Sequence, residues 1–291
     1  MAVLLKGAPV AKAITAELIE RAGKLESLGV VPTLAIVRVG EREDDLSYER
    51  GALKRCEKVG ISCRRYLLPA DVSQEELMGT VTEINEDPSI HGCLIFRPLP
   101  EHLEGDAVAS ALLPKKDVDS MTPASLLSTL SGLDAGYAPC TAEAVLAILD
   151  HYGIDLDGAN VVVVGRSLVI GKPVASMLLA RNATVTTCHT HTRDLAEVCR
   201  RADIVVAAAG HARTLGADAV CTGQTVIDVG INWDSQAEKL VGDVDFEAVE
   251  PLVDAVTPVP GGVGAVTTAI LARHVICAAE EAGRLVAPSL Q

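Results

Sequence analysis

Residues 165–171 read Gly-Arg-Ser-Leu-Val-Ile-Gly and follow the apolar run Ala159-Asn-Val-Val-Val-Val-Gly165. Glycines between a buried strand and a helix let backbone N–H groups and the positive helix end approach an anion such as a pyrophosphate. The spacing is not G-x-G-x-x-G, because Ser167 stands in place of the second glycine and the interval to Gly171 is longer. On the loop alone, a plain tight turn explains the residues as well as a dinucleotide turn does. The next strand separates the two. NAD-preferring domains carry an acidic residue about 20 positions past the glycines to hold the ribose hydroxyl. Here the equivalent strand ends in Thr187-Cys-His-Thr-His191, without a carboxylate. Arg166 offers a cation to a 2′-phosphate and Thr190 a hydrogen bond, so NADP is expected rather than NAD.

Two other segments have chemical potential. Pro258 to Gly264 holds two prolines and three glycines in seven residues, a composition that suggests backbone approaching a ligand closely, although a simple turn would also fit. Cys188, His189 and His191 have metal-ligand side chains, but no second cluster completes a tetrahedron. Strand-end packing or ligand contact is the reading adopted, and no metal is expected.

The elements that must position these residues alternate. A helix is expected over about 9–28, with Ile14, Leu18, Leu25 and Leu28 on one face and Gly29 as its stop. Thr33–Val39 reads as a buried strand, then a helix from about Ser47 to Val59 stops at Gly60. Ser73 and Glu76 make a capping box ahead of the stripe Leu77, Val81 and Ile84, and Gly92–Phe96 is the next strand. A helix over 141–151 leads into a second series of strands at 159–165, 183–187, 203–209 and 225–231, with a last helix from about Ala265 to Ala282. Such alternation argues for parallel βαβ units.

Composition sets the outer bounds. The 291 residues suffice for about two domains. Apolar residues at 49% and charged residues at 22% exclude disorder as the main state. The net charge of −14 and the two Phe, four Tyr and one Trp argue against nucleic acid and anionic lipid as partners. No apolar run has the length of a membrane span, and eight scattered cysteines without C-x-x-C spacing fit reduced thiols. A cytoplasmic protein is expected.

With Gly165-Arg-Ser167 in hand, further segments fall into one pattern. These are Val39-Gly40 with Ser47-Tyr48, Arg97-Pro-Leu-Pro100, Lys116-Asp-Val-Asp119, Pro139-Cys-Thr141, Gly171-Lys-Pro173, Asp228-Val-Gly-Ile-Asn232 and Thr257-Pro-Val-Pro-Gly-Gly-Val-Gly264. The chain resembles, along almost its whole length, the FolD-type methylenetetrahydrofolate dehydrogenase/cyclohydrolases. That resemblance implies a two-domain α/β enzyme, usually a homodimer, with folate in a cleft between an N-terminal substrate domain and a Rossmann-like, parallel-sheet dinucleotide domain. The expected division is 1–140 with helix 267–291 for folate, and 141–266 for NADP. The implied activity is oxidation of 5,10-methylenetetrahydrofolate to the methenyl form, followed in many members by hydrolysis to 10-formyltetrahydrofolate. Carried over by position, Tyr48 lies along the pterin and aminobenzoyl groups, Asp119 pairs with pterin nitrogens, and Pro260, Gly261 and Gly262 form a wall of the folate site. Gly165, Arg166, Ser167, Thr190, Ile231 and Thr267 contact the dinucleotide. Tyr48 and Asp119 are the implied catalytic residues.

Two departures concern the chemical centre. Bifunctional members carry Tyr-x-x-x-Lys, the lysine being the acid/base of the hydrolytic step, whereas Tyr48-Glu-Arg-Gly-Ala52 has alanine there. Lys54 points elsewhere, since a helix advancing about 100° per residue turns it about 200° past position 52. Those members also place glutamine, the lysine's partner, where this chain has Phe96. Loss of both suggests relaxed need for hydrolysis, while Ala142 and Ala265, replacing family prolines, are milder changes. The expectation is a dehydrogenase with weak or absent cyclohydrolase activity. The alternatives are a bifunctional enzyme in which Arg50 or a water held by Asp119 replaces the lysine, and a folate- and nucleotide-binding protein without catalysis.

Overall fold

A computed structural model describes residues 2–133, 136–235 and 237–286. In chain order, β1 (Val3–Leu4), α1 (Gly7–Ser27), β2 (Thr33–Val39), α2 (Glu43–Val59), β3 (Ser62–Leu68), α3 (Gln74–Glu86) and β4 (Gly92–Ile95) come first. Helices α4 (Gly105–Ala111), α5 (Pro123–Ser131) and α6 (Cys140–His151) follow. Then come β5 (Asn160–Val164), α7 (Gly171–Leu179), β6 (Thr184–Cys188), α8 (Leu195–Arg200), β7 (Ile204–Ala207) and β8 (Thr225–Asp228). The chain continues through β9 (Asn232–Asp234), β10 (Lys239–Val241), α9 (Phe246–Val249), β11 (Ala255–Val256) and α10 (Gly264–Val286).

The chain forms two compact units. One comprises Ala13–Ser128, Leu133–Cys140 and the residues from Thr268 on; the other comprises the first twelve residues, Thr129–Gly132 and Thr141–Thr267. The opening residues thus group differently from a boundary at 140. The reason is pairing: Val3 and Leu4 lie parallel to Ala255 and Val256, and the Gly7 N–H donates to the Gly261 carbonyl at 2.8 Å. The last five residues of the expected helix 267–291 lie outside the described residues.

The first unit carries a parallel three-stranded sheet in the order β3-β2-β4. All seven residues of β2 are buried, as a central strand without a wet face requires. Ala35, Val37, Val39 and Ile95 pack against Leu77, Val81 and Ile84 of α3 and Val108 of α4. Gly60 ends α2 at φ 91, and the Ser73 hydroxyl accepts the Glu76 N–H at 3.2 Å to start α3. The other end of α3 is held by Lys116, whose buried ammonium donates to the carbonyls of Ile84, Asn85 and Asp87 at 2.6, 3.0 and 2.7 Å. Its three protons are thereby all satisfied.

The second unit is a six-stranded parallel sheet in the order β1-β11-β8-β7-β5-β6, with β9 and β10 as a separate antiparallel pair. From β5 the chain runs outward to β6 and then returns to β7 on the other side. That reversal makes the carboxyl ends of β5 and β7 a topological switch point, where α/β sheets open a crevice for ligands.

Candidate active site

Gly165 leaves β5 at φ 139 with its N–H on the Cys188 carbonyl at 2.9 Å. A Cβ there would drive into the Ala208 carbonyl at the end of β7, and one at Gly171 into the Gly165 carbonyl. Both glycines are therefore required by close backbone packing, not only by turn type. The Ser167 hydroxyl accepts the N–H groups of Ile170 and Gly171 at 3.1 and 3.4 Å, so it holds the start of α7. Arg166 is exposed. Because Val164 pairs with Cys188, this loop leaves the sheet beside the turn that follows β6. There the His189 N–H donates to the Thr192 hydroxyl at 2.8 Å and Thr190 is exposed.

The remaining candidates of this unit leave the same carboxyl edge. Ile231 follows β8 and is 62% exposed, and a Cβ on Gly264 would lie 3.3 Å from its Cδ1. The Thr267 hydroxyl donates to the Gly264 carbonyl at 3.1 Å. Pro260, Gly261 and Gly262 follow β11, with a cis Val259–Pro260 bond. A Cβ on Gly262 would stand 2.6 Å from the Pro258 oxygen. These three residues and the nucleotide candidates gather in one compact unit, and Tyr48 and Asp119 in the other.

Sequence reasoning missed what shapes the end of β8. The buried Asp228 carboxylate accepts N–H groups from Gly230, Asp243 and Val244 at 2.9, 3.0 and 3.0 Å. Asp243, fully buried, accepts from Gly210 at 2.8 Å and from the Asn232 amide at 2.9 Å. The two carboxylates tie the segment after β7, the Gly230-Ile231-Asn232 turn and the segment after β10 together. Burial pushes the Asp228 carboxyl up to about 6 against the pull of its three N–H donors. A signal was present in Val241-Gly-Asp-Val244, but only pairing over fifteen residues gives it meaning.

In the other unit, Tyr48 lies half-buried on α2, and α2 is fixed by charge. The buried Glu49 carboxylate accepts Arg38 Nε of β2 at 2.8 Å and Arg65 Nε of β3 at 2.6 Å. Arg38 also donates to the Gly40 carbonyl. One carboxylate thus joins both strands to the helix that carries Tyr48. Ala52 is fully buried and Lys54 is exposed, as their helical offset requires. The Tyr48 and Phe96 rings meet edge-on.

Asp119 follows a segment whose other charges are spent on structure. Asp117 accepts the N–H groups of Met121 and Thr122 at 2.8 and 2.7 Å, while Lys116 caps α3. Asp119 instead keeps 29% of its side chain exposed. Its Oδ1 accepts the Cys140 N–H at 3.0 Å, and Oδ2 faces Arg97 Nη2 at 4.0 Å. Burial pushes its carboxyl above the usual range, opposed by the Cys140 N–H and then by Arg97. Of two consecutive residues, Phe96 meets the Tyr48 ring and Arg97 faces the Asp119 carboxylate. Among the described residues, no group of three or more His, Cys, Asp or Glu side chains is placed to hold a metal.

Comparison with known proteins gives one answer. The family described as tetrahydrofolate dehydrogenase/cyclohydrolase matches in both parts, its catalytic domain over residues 5–119 and its NAD(P)-binding domain over 139–283. The bifunctional protein FolD of Carboxydothermus hydrogenoformans is 50% identical over 96% of this chain and 98% of its own. That of Clostridioides difficile is 48% identical over 94% and 95%. Among solved structures, the FolD enzyme of Campylobacter jejuni superposes with TM-score 0.93 at 38% identity, covering 97% of this chain and 99% of that one. The Trypanosoma brucei enzyme, solved with NADP cofactor and an inhibitor, gives 0.91 at 35%, covering 98% and 99%. With both halves matched, and relatives alike from end to end, this chain belongs to the tetrahydrofolate dehydrogenase/cyclohydrolase family.

Proposed function

We propose that the chain oxidises 5,10-methylenetetrahydrofolate to 5,10-methenyltetrahydrofolate with NADP+, in one-carbon metabolism, and hydrolyses the product weakly or not at all. The observation that carries the oxidation is the turn from Gly165 to Gly171, whose two glycines admit no side chain and which lies at the switch point of a parallel sheet. The unit that includes 141–267 takes the nucleotide, and the unit with Tyr48 and Asp119 takes the folate. The bound NADP of the Trypanosoma brucei relative supports this choice of dinucleotide.

When bound, NADP+ supplies the hydride acceptor. The turn's N–H groups hold the pyrophosphate, Arg166 and Thr190 meet the 2′-phosphate, and Ile231 and Thr267 flank the rest. Tyr48 lies along the pterin and aminobenzoyl groups, Asp119 accepts pterin N–H bonds, and Pro260 to Gly262 give a side-chain-poor wall. The folate's own N5 lone pair stabilises the cation left at the bridging carbon. Alignment and exclusion of water are what the oxidation asks of the protein, and no side chain need carry a proton.

The hydrolytic step is different, since a positioned acid/base typically contributes about 10²–10⁴-fold to it. Buried Ala52 and Phe96 occupy the places of the family's lysine and glutamine, and neither transfers a proton. A second reading, in which the chain also makes 10-formyltetrahydrofolate, has the bifunctional names of its relatives in its favour. We further place the protein in the cytoplasm as a homodimer. Eight free cysteines support a reducing compartment, and no described helix is long and apolar enough to cross a membrane. The test is NADPH formation from NADP+ and methylenetetrahydrofolate by the purified protein, with methenyl hydrolysis followed against the buffer-catalysed rate. Absence of NADPH rejects the oxidation; hydrolysis well above buffer selects the bifunctional reading.

A further inference from the structure

We infer that Arg97 is a positioning residue of the folate site, a fixed cation that keeps the Asp119 carboxylate ionised and its outer oxygen available to ligand. The inference rests on the folate-site reading above and adds a residue to it.

The geometry is specific. Arg97 lies just past the carboxyl end of β4, and its Nη2 stands 4.0 Å from Asp119 Oδ2. That separation is too long for a hydrogen bond but well within reach of a strong charge interaction. Both side chains stay about one-third exposed, at 33% and 29%. Oδ1 is occupied by the Cys140 N–H, so Oδ2 is the oxygen left to a ligand. Among the described residues, Asp119 is the ion-pair partner that Arg97 has.

The carboxylate needs such a neighbour. Burial disfavours its charge, and Asp117 in its own segment acts in the same direction. From α6 comes Cys140, whose N–H and thiol both favour the charged carboxylate, the thiol also lying 3.3 Å from the Val118 carbonyl. From α10 comes His274, bonded to the same carbonyl at 2.8 Å and 3.7 Å from the Cys140 sulfur. Lys116 is close in sequence, yet its three donors are spent on the end of α3. Arg97 is left as the permanent positive charge facing Asp119. On the α2 side, buried Ala52 holds the place of the family's lysine, and Arg42, at the start of the helix, is turned to the Pro98 carbonyl at 3.2 Å. The positive charge that acts on Asp119 comes from Arg97, at the end of β4.

The test compares the intact enzyme with Arg97→Leu and Arg97→Lys, measuring kcat/KM for methylenetetrahydrofolate against pH and NADP+ affinity in parallel. An opposite charge at this distance lowers a carboxyl pKa by roughly one to three units. Arg97→Leu should therefore move the acid limb upward by about one unit or more, about a tenfold loss at a pH on that limb. Arg97→Lys should restore most of the position, and NADP+ affinity should not change. An unshifted limb, with activity normal or uniformly lower, overturns the role of Arg97 while leaving the proposed function intact. Wild-type protein that forms no NADPH at any pH overturns both. A melting temperature for each variant equal to wild type confirms that the limb is read on folded protein.

Discussion

The ring of Phe96 meets the ring of Tyr48 edge-on, with centroids 5.9 Å apart and planes at 81°. Phe96 and the fully buried Ala52 hold the positions of the glutamine and lysine in the resemblance to the bifunctional family members. Methenyl product should therefore accumulate during oxidation. Ala52→Lys alone should help little, because an ammonium in that dry setting has its pKa lowered by desolvation and meets an aromatic ring rather than an amide. Ala52→Lys with Phe96→Gln should recover more hydrolysis than the two single changes together, the mark of coupled residues. Additive or null behaviour of the double variant would reject the pairing.

Arg166 is exposed on the turn after β5, beside the turn that presents Thr190. Only NADP+ carries a 2′-phosphate, so Arg166→Ala should lower kcat/KM for NADP+ far more than for NAD+. Equal losses would assign the arginine to the pyrophosphate or to the loop itself.

Asp119 has one oxygen on the Cys140 N–H and the other facing Arg97, the oxygen proposed to meet folate. A charge-assisted bond contributes about 1.5–3 kcal/mol. Asp119→Ala should accordingly raise the folate Kd roughly tenfold or more with NADP+ binding almost unchanged, as calorimetric titration of each ligand can measure. Unchanged folate affinity would remove Asp119 from the site.

Much of this frame is legible in the sequence because central parallel strands announce themselves. Thr33–Val39 is buried at every position, and the Ser73 cap and the Leu77, Val81 and Ile84 stripe need only local spacing. The edge strand β3, Ser-Cys-Arg-Arg-Tyr-Leu-Leu, escapes the same reasoning: it is largely exposed and defined by pairing with β2. Val3 and Leu4 become a strand only through residues 255 and 256. The site divides in the same way. Glycine spacing marks the 165–171 turn, whereas Arg97 beside Asp119 and Asp228 beside Asp243 are juxtapositions made by folding.

Asp228 makes the clearest pH prediction. Its carboxyl is raised from 3.8 to about 6, chiefly by burial. A carboxyl raised on folding contributes stability as the protonated form, fully present below pH 3.8 and lost as the pH rises through about 6. At about 1.4 kcal/mol per unit, the loss across that window is at most about 3 kcal/mol. Asp228→Asn cannot ionise and keeps one acceptor oxygen for the N–H groups of Gly230, Asp243 and Val244. The variant should be less stable overall, and the wild-type advantage should shrink as the pH rises through that window. Denaturant midpoints for both proteins at a series of pH values give this difference directly, with the carboxylates remote from Asp228 and its neighbour Asp243 cancelling. A difference independent of pH would mean that Asp228 is already ionised throughout, its three N–H donors outweighing its burial.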